Sequence, residues 1–111
     1  MSVIEIVSWK AKPGVADEEM QVALAAMVPD LKALPGFLYQ SAGKDSQGRW
    51  VDVYYWDSAK DAHASNELMA DKASLATLLA LVEMDTICME VIEPLQVSSD
   101  TVTLGKKDEL C

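Results

Sequence analysis

His63 is the chain's single histidine, and an amide, Asn66, follows it by about one helical turn. Both fall in a run with helical spacing, Ala59, Ala62, His63, Asn66 and Met69, so they share a side otherwise lined by small residues and a methionine. Imidazole titrates near neutral pH without perturbation, which makes His63 a candidate base. Asn66 could hydrogen-bond a developing oxyanion. The plainer alternatives are a partly exposed helix histidine with a local hydrogen bond, and a polar residue near a helix end. Asp52 is the third candidate, set mid-run in Trp50-Val-Asp-Val-Tyr-Tyr-Trp56. Desolvation between aromatic neighbours would raise its pKa and make it a useful base. Pairing with Lys10 or Arg49 would make it structural instead. Trp9, Tyr39, Tyr54 and Trp56, with Phe37 and Trp50, supply aromatic surface that either walls a site for a planar ligand or fills a core or interface.

Several chemistries are absent from the pattern. No Cys/His cluster has metal-ligand spacing, and there is no glycine-rich phosphate loop or nucleophile elbow. Neither a metal nor a nucleotide cofactor is expected. The net charge of −9 argues against nucleic-acid partners, because such a chain would release few counterions from a phosphate backbone. No apolar stretch approaches the roughly 20 residues that span a bilayer. The start lacks the basic and apolar regions of a signal peptide. Lys107-Asp108-Glu109-Leu110 resembles an endoplasmic-reticulum retention signal, but Cys111 follows it. A cytoplasmic location is therefore expected. Cys88 and Cys111 make no disulfide framework, and Cys88, inside an apolar strand, reads as a small buried hydrophobe.

The elements that must position these residues follow from punctuation. Lys12-Pro13-Gly14 closes a first strand over residues 3–11, and Pro35-Gly36-Phe37 closes a helix over Val15–Leu34. Met20, Leu24, Met27, Leu31 and Leu34 make that helix's apolar stripe, and Pro29 predicts a kink or restart within it. Residues 37–44 and 49–57 predict a hairpin across Asp45-Ser46-Gln47-Gly48. Ser58, with Asp61 three residues on, caps a second helix. A further cap at Asp71 opens a run with Leu75, Leu78, Leu79 and Val82 on one stripe. Met84 to Val97 supplies the last strand, whose pairing should fail at Pro94.

The order β-α-β-β-α-β is α+β, a ferredoxin-like split βαβ sandwich. Val3, Val7 and Trp9 point one way from the first strand, while Ile4 and Ile6 point the other. A strand apolar at both parities is covered on both faces. Helices can cover one, so a second sheet must meet the other, and a homodimer is expected. At 111 residues the chain is one domain, taken as 1–97, with a tail over 98–111 that is loose or laid on a partner subunit.

Lys12-Pro13-Gly14, Pro35-Gly36-Phe37 and the stretch Trp50-Val-Asp-Val-Tyr-Tyr-Trp56-Asp-Ser-Ala-Lys-Asp-Ala62 resemble the antibiotic biosynthesis monooxygenase-like family of dimeric α+β barrels, over about residues 3–95. The resemblance implies a homodimer whose sheets pack face to face into a barrel. It also implies a ligand cavity between sheet and helices in each subunit. Characterised relatives include cofactor-independent oxygenases acting on phenolic or quinol substrates, and haem-degrading enzymes. The expectation is a cofactor-independent monooxygenase for a small aromatic or polyketide-like substrate. His63 or Asp52 would deprotonate the substrate, Asn66 would stabilise negative oxygen, and Trp9, Tyr39, Tyr54 and Trp56 would hold the ring. A small-ligand-binding barrel without turnover is the alternative. The haem-degrading branch matches only at Trp56: its axial histidine would fall near Asn66, and its first-strand asparagine near Val7.

Overall fold

The computed structural model describes residues 2–98. Four strands, β1 (Val3–Trp9), β2 (Phe37–Lys44), β3 (Trp50–Trp56) and β4 (Cys88–Ile92), form one sheet in the order β2-β3-β1-β4. Every neighbouring pair is antiparallel. Four helices accompany it: α1 (Asp17–Ala26), α2 (Val28–Lys32), α3 (Ala59–Met69) and α4 (Ala73–Leu79). The fold is α+β and ferredoxin-like.

Strand parity decides what is buried. Opposite-facing side chains alternate along each strand, and the register sets Val3 opposite Trp56, Glu5 opposite Tyr54, Val7 opposite Asp52 and Trp9 opposite Trp50. These residues form the inner face, on which the helices pack. Val3, Trp9, Trp50, Tyr54 and Trp56 join the core with Met20, Leu24, Met27 and Leu31 from the α1–α2 stripe. Burying each such side chain contributes about 1.5–3 kcal/mol. On the outer face, Ile4, Ile6, Val51, Val53 and Tyr55 are only half-buried.

Local chemistry fixes the connections. Pro29 has no N–H to continue the ladder, and the helix breaks at Met27 and restarts as α2. Glu19 Oε1 accepts from the Ala16 N–H, satisfying one of the free donors at the start of α1. In the hairpin turn, Asp45 Oδ1 accepts from the Gln47 and Arg49 amides at 2.9 and 3.0 Å. Gly48 there takes φ +80°, a conformation that favours glycine. The Ser58 cap forms as expected, its Oγ accepting from the Asp61 N–H at 3.1 Å.

Three expectations need correction. α4 begins at Ala73 with Lys72 at its N-cap and no side-chain cap bond, so Asp71 does not cap it. The run from Met84 to Val97 is not one strand. A 3-10 turn occupies Met84–Thr86, held by Thr86 Oγ1 donating to the Glu83 carbonyl and accepting from the Lys10 N–H, and pairing stops at Ile92. Cys88 is exposed rather than buried, because its parity places it opposite Ser8 on the outer face. The expected tail lies outside the described residues apart from Ser98.

Candidate active site

Between the inner face of the sheet and the helices lies an apolar cavity of about 250 Å³. That is just below the usual range for ligand pockets, roughly 300–1,000 Å³, so any occupant is small. Trp9, Tyr54 and Trp56 line it from the sheet, Met27 and Leu31 from α1–α2, and Ser65, Met69, Leu75 and Leu78 from α3 and α4. Its rim carries Asn66, Met84 and Met89, the two methionines being more than half exposed. The space exists because α3 turns small residues inward: its buried positions are Ala62, Ser65 and Met69. Ser65 satisfies itself by donating to the Ala62 carbonyl at 2.6 Å.

Two carboxyl groups enter this apolar space, Glu5 from β1 and Asp52 from β3, and both are almost fully buried. Both Asp52 oxygens are occupied. Oδ1 accepts from Gln40 Nε2 at 2.6 Å, and Oδ2 accepts from the Tyr54 hydroxyl at 2.5 Å. Desolvation pushes the Asp52 carboxyl up to about 6, although both hydrogen bonds favour its charged form. Burial and the Asp52 carboxylate hold the Tyr54 phenol well above its ordinary value, so it stays a donor. Glu5 is raised as well, chiefly by burial and further by the charge of Asp52; the Trp56 hydrogen bond and nearby His63 act against the rise. Glu5 Oε1 accepts from Trp56 Nε1 at 2.9 Å. Its second oxygen has no hydrogen-bond partner among the described residues. The Trp9 indole nitrogen is likewise buried without a partner among them. Trp56 is fixed from both sides, stacked on Tyr54 at 6.1 Å and edge-on to Phe37 at 5.6 Å.

The residues singled out from sequence divide accordingly. Asp52, Tyr54, Trp56, Trp9 and Asn66 meet at the cavity. Tyr39 does not. A register shift between Phe37 and Tyr39 sets it against Tyr55 on the outer face, ring centroids 6.1 Å apart. His63 is exposed and does not line the cavity, since the buried stripe of α3 passes through Ala62 and Ser65 instead. Asp52 makes no ion pair with Lys10 or Arg49; Arg49 donates to Ser8 Oγ and the Thr86 carbonyl. Sequence reasoning missed Glu5, yet a signal was present: an acid at the parity of Val3, Val7 and Trp9 must either break the strand or be buried. Among the described residues no group of three or more His, Cys, Asp or Glu side chains could hold a metal ion.

No family model and no curated protein matches the chain. Solved structures do. A cofactor-independent oxygenase from Streptomyces nogalater, SnoaB, superposes with a TM-score of 0.68 at 14% identity, covering 89% of this chain and 98% of its own. A Bordetella bronchiseptica protein provisionally assigned as an antibiotic biosynthesis monooxygenase gives 0.73 at 13% identity, covering 86% and 98%. The chain shares their fold. A dimeric ferredoxin-like protein of unknown function from Thermobifida fusca also has it, with a TM-score of 0.66 at 14% identity over 85% of this chain and 92% of its own. The expected ferredoxin-like α+β fold is thus the one found. No described helix is long and apolar enough to cross a membrane.

Proposed function

We propose that this protein is a cofactor-independent monooxygenase acting on a small aromatic or polyketide-like substrate. One observation carries this: an apolar cavity walled by Trp9, Tyr54 and Trp56 holds desolvated carboxyl groups and opens past Asn66. Aromatic walls suit a planar ring, and a carboxyl raised toward neutral pH suits proton abstraction from a phenolic hydroxyl. The anion so formed is electron-rich enough to reduce O₂ directly. One oxygen atom enters the ring, the other leaves as water, and the substrate supplies every electron. The likeness to SnoaB agrees with this chemistry. Asn66, at the rim, would hydrogen-bond negative oxygen as it develops.

The working unit in this proposal is a homodimer. Ile4, Ile6, Val51, Val53, Tyr39 and Tyr55 form a half-buried outer sheet face, and a second copy is the simplest cover for it. The dimeric Thermobifida fusca protein supports that arrangement.

The test is incubation of 1-naphthol with the protein under ¹⁸O₂. Oxygenation converts one naphthol and one O₂ to 1,4-naphthoquinone and water, so the quinone should carry a single labelled oxygen. Naphthol that binds but is never oxidised would favour a binding protein without turnover. That second reading has one observation in its favour: both Asp52 oxygens are already engaged.

A further inference from the structure

The cavity contains three titratable side chains, Glu5, Asp52 and Tyr54, and the hydrogen bonds among them are unequal. Tyr54 spends its proton on Asp52 Oδ2, and Gln40 fills Asp52 Oδ1. A base must present a lone pair to the proton it takes, within hydrogen-bond reach, and each Asp52 oxygen already shares its lone pairs with a protein donor. His63, on α3, is exposed and outside the lining. Glu5 differs from all of these. Trp56 Nε1 holds one of its oxygens at 2.9 Å, which fixes the carboxyl plane, and leaves the other without a donor among the described residues. That second oxygen has no protein donor among the described residues and keeps accessible surface on an otherwise almost fully buried side chain, so it is open to a ligand that enters the cavity.

A second vacancy lies on the same strand and the same face. Trp9 Nε1 is buried and has no acceptor among the described residues. Residues 5 and 9 are four positions apart on β1, hence about 13 Å between Cα atoms in extended chain. A ligand lying along the strand would meet an acceptor at one end and a donor at the other.

We infer that Glu5 is the catalytic base of this site, its free oxygen taking the proton of a ligand hydroxyl, while the Trp9 N–H binds a second oxygen of the same ligand. The inference rests on the oxygenase proposal and replaces His63 and Asp52 in the role of base. In the step itself the ligand O–H bond breaks and an O–H bond forms on Glu5. The bonding pair stays on the ligand oxygen, and no electron leaves the ligand. Asp52 is a positioning residue. Its charge, anchored by Gln40 and Tyr54, strengthens Glu5 as a base, with His63 on α3 opposing it. Along β4, the residue opposite Glu5 is the apolar Val91, which adds no charge.

The experiment uses 1-naphthol and its methyl ether, 1-methoxynaphthalene, as probes, with binding read by tryptophan quenching and turnover by oxygen uptake. The parent should bind the naphthol about tenfold or more tightly than the ether. Glu5→Gln keeps an acceptor for Trp56, yet should erase that preference and slow oxygen uptake by about 10²–10⁴-fold. Asp52→Asn should slow turnover by less than Glu5→Gln does, because Glu5 becomes a weaker base, and should move the acid limb of its pH profile to lower pH. That shift is a readout that a merely structural role would not produce. Should Glu5→Gln fail to fold, the Asp52→Asn shift in the limb still decides. Parental turnover in Glu5→Gln, a parent that does not distinguish naphthol from ether or binds neither, or an unmoved acid limb in Asp52→Asn would each overturn the assignment. A Glu5-dependent preference for naphthol without any oxygen uptake would uphold Glu5 as the hydroxyl-recognising group and overturn the oxygenase proposal instead.

Discussion

Replacing Asp52 with asparagine should make the fold less sensitive to pH, by an amount that can be worked out. The Asp52 carboxyl rises from its ordinary 3.8 to about 6 in the folded chain, chiefly through desolvation. Because the folded pKa is the higher one, the native state holds a proton that the unfolded chain has already lost between those values. Stability from this group is therefore fully present below about pH 4 and is lost as pH rises through about 6. At about 1.4 kcal/mol per pH unit, that loss is about 3 kcal/mol. Asparagine keeps the shape, can accept from Gln40 and cannot ionise, so the variant is spared the loss. Urea unfolding of parent and variant, measured from about pH 3.5 to about pH 7.5, gives the difference in stability at each pH. The acids other than Glu5 titrate alike in both chains and cancel. That difference should be flat at the acid end and swing by about 3 kcal/mol in favour of asparagine by neutral pH. Release of Glu5 from the charge of Asp52 pushes the same way. A constant offset, or a swing favouring aspartate, would refute the claim that burial dominates over the two hydrogen bonds.

Trp56→Phe keeps most of the buried ring but removes the N–H that Glu5 Oε1 accepts. Thermal or urea melts should show a loss of about 1–3 kcal/mol, larger at neutral than at acid pH, because an unpartnered carboxylate is worse than an unpartnered carboxyl. His63→Ala should leave 1-naphthol turnover within a factor of about two of the parent, since the side chain is exposed and outside the cavity; a drop of about 10²-fold or more would restore the imidazole as base. Light scattering at micromolar concentration should give twice the 12.1 kDa chain mass. Tyr55→Lys, which puts a charge in the middle of the outer sheet face, should halve it, and a parent that is already monomeric would end the dimer proposal.

The fold was legible because its signals are local and agree with one another. Pro29, the Asp45–Gly48 turn and the Ser58–Asp61 cap each act within a few residues, and each forms where the sequence places it. Strand parity carried further still: the inner sets Val3, Val7, Trp9 and Trp50, Asp52, Tyr54, Trp56 are the ones that meet across β1 and β3. The site was harder to read because it depends on non-local phase. A helix face is set within about 100° per residue, so taking His63 rather than Ser65 as inward points a side chain to solvent instead of into the cavity. The register shift after Phe37 moves Tyr39 to the far face, an irregularity of pairing that no single residue announces. Asp71 failed as a cap for a similar reason: the chain between α3 and α4 starts the helix at Ala73, with Lys72 at the N-cap position.

Glu5 shows how such a site could be sought in other chains. An acid at an inward parity of a central strand must lose water on folding, and the fold tolerates that only with donors close by. Here Trp56 supplies one donor to Glu5, while Gln40 and Tyr54 supply two to Asp52. Replacing a buried, hydrogen-bonded acid with an apolar residue of similar volume is often neutral or stabilising. Packing therefore does not account for two such acids on one sheet face. Nor does it account for Ala62 and Ser65 on the helix across from them, where larger side chains would close the space and add burial. Void and carboxyls both work against stability, and they occupy the same place. Features that weaken a core together, at one spot, are the mark of a site maintained for what it binds. The donor inventory then separates the two acids. Asp52 is held by two donors and serves as a fixed charge, while Glu5 is held by one and keeps an oxygen for the ligand.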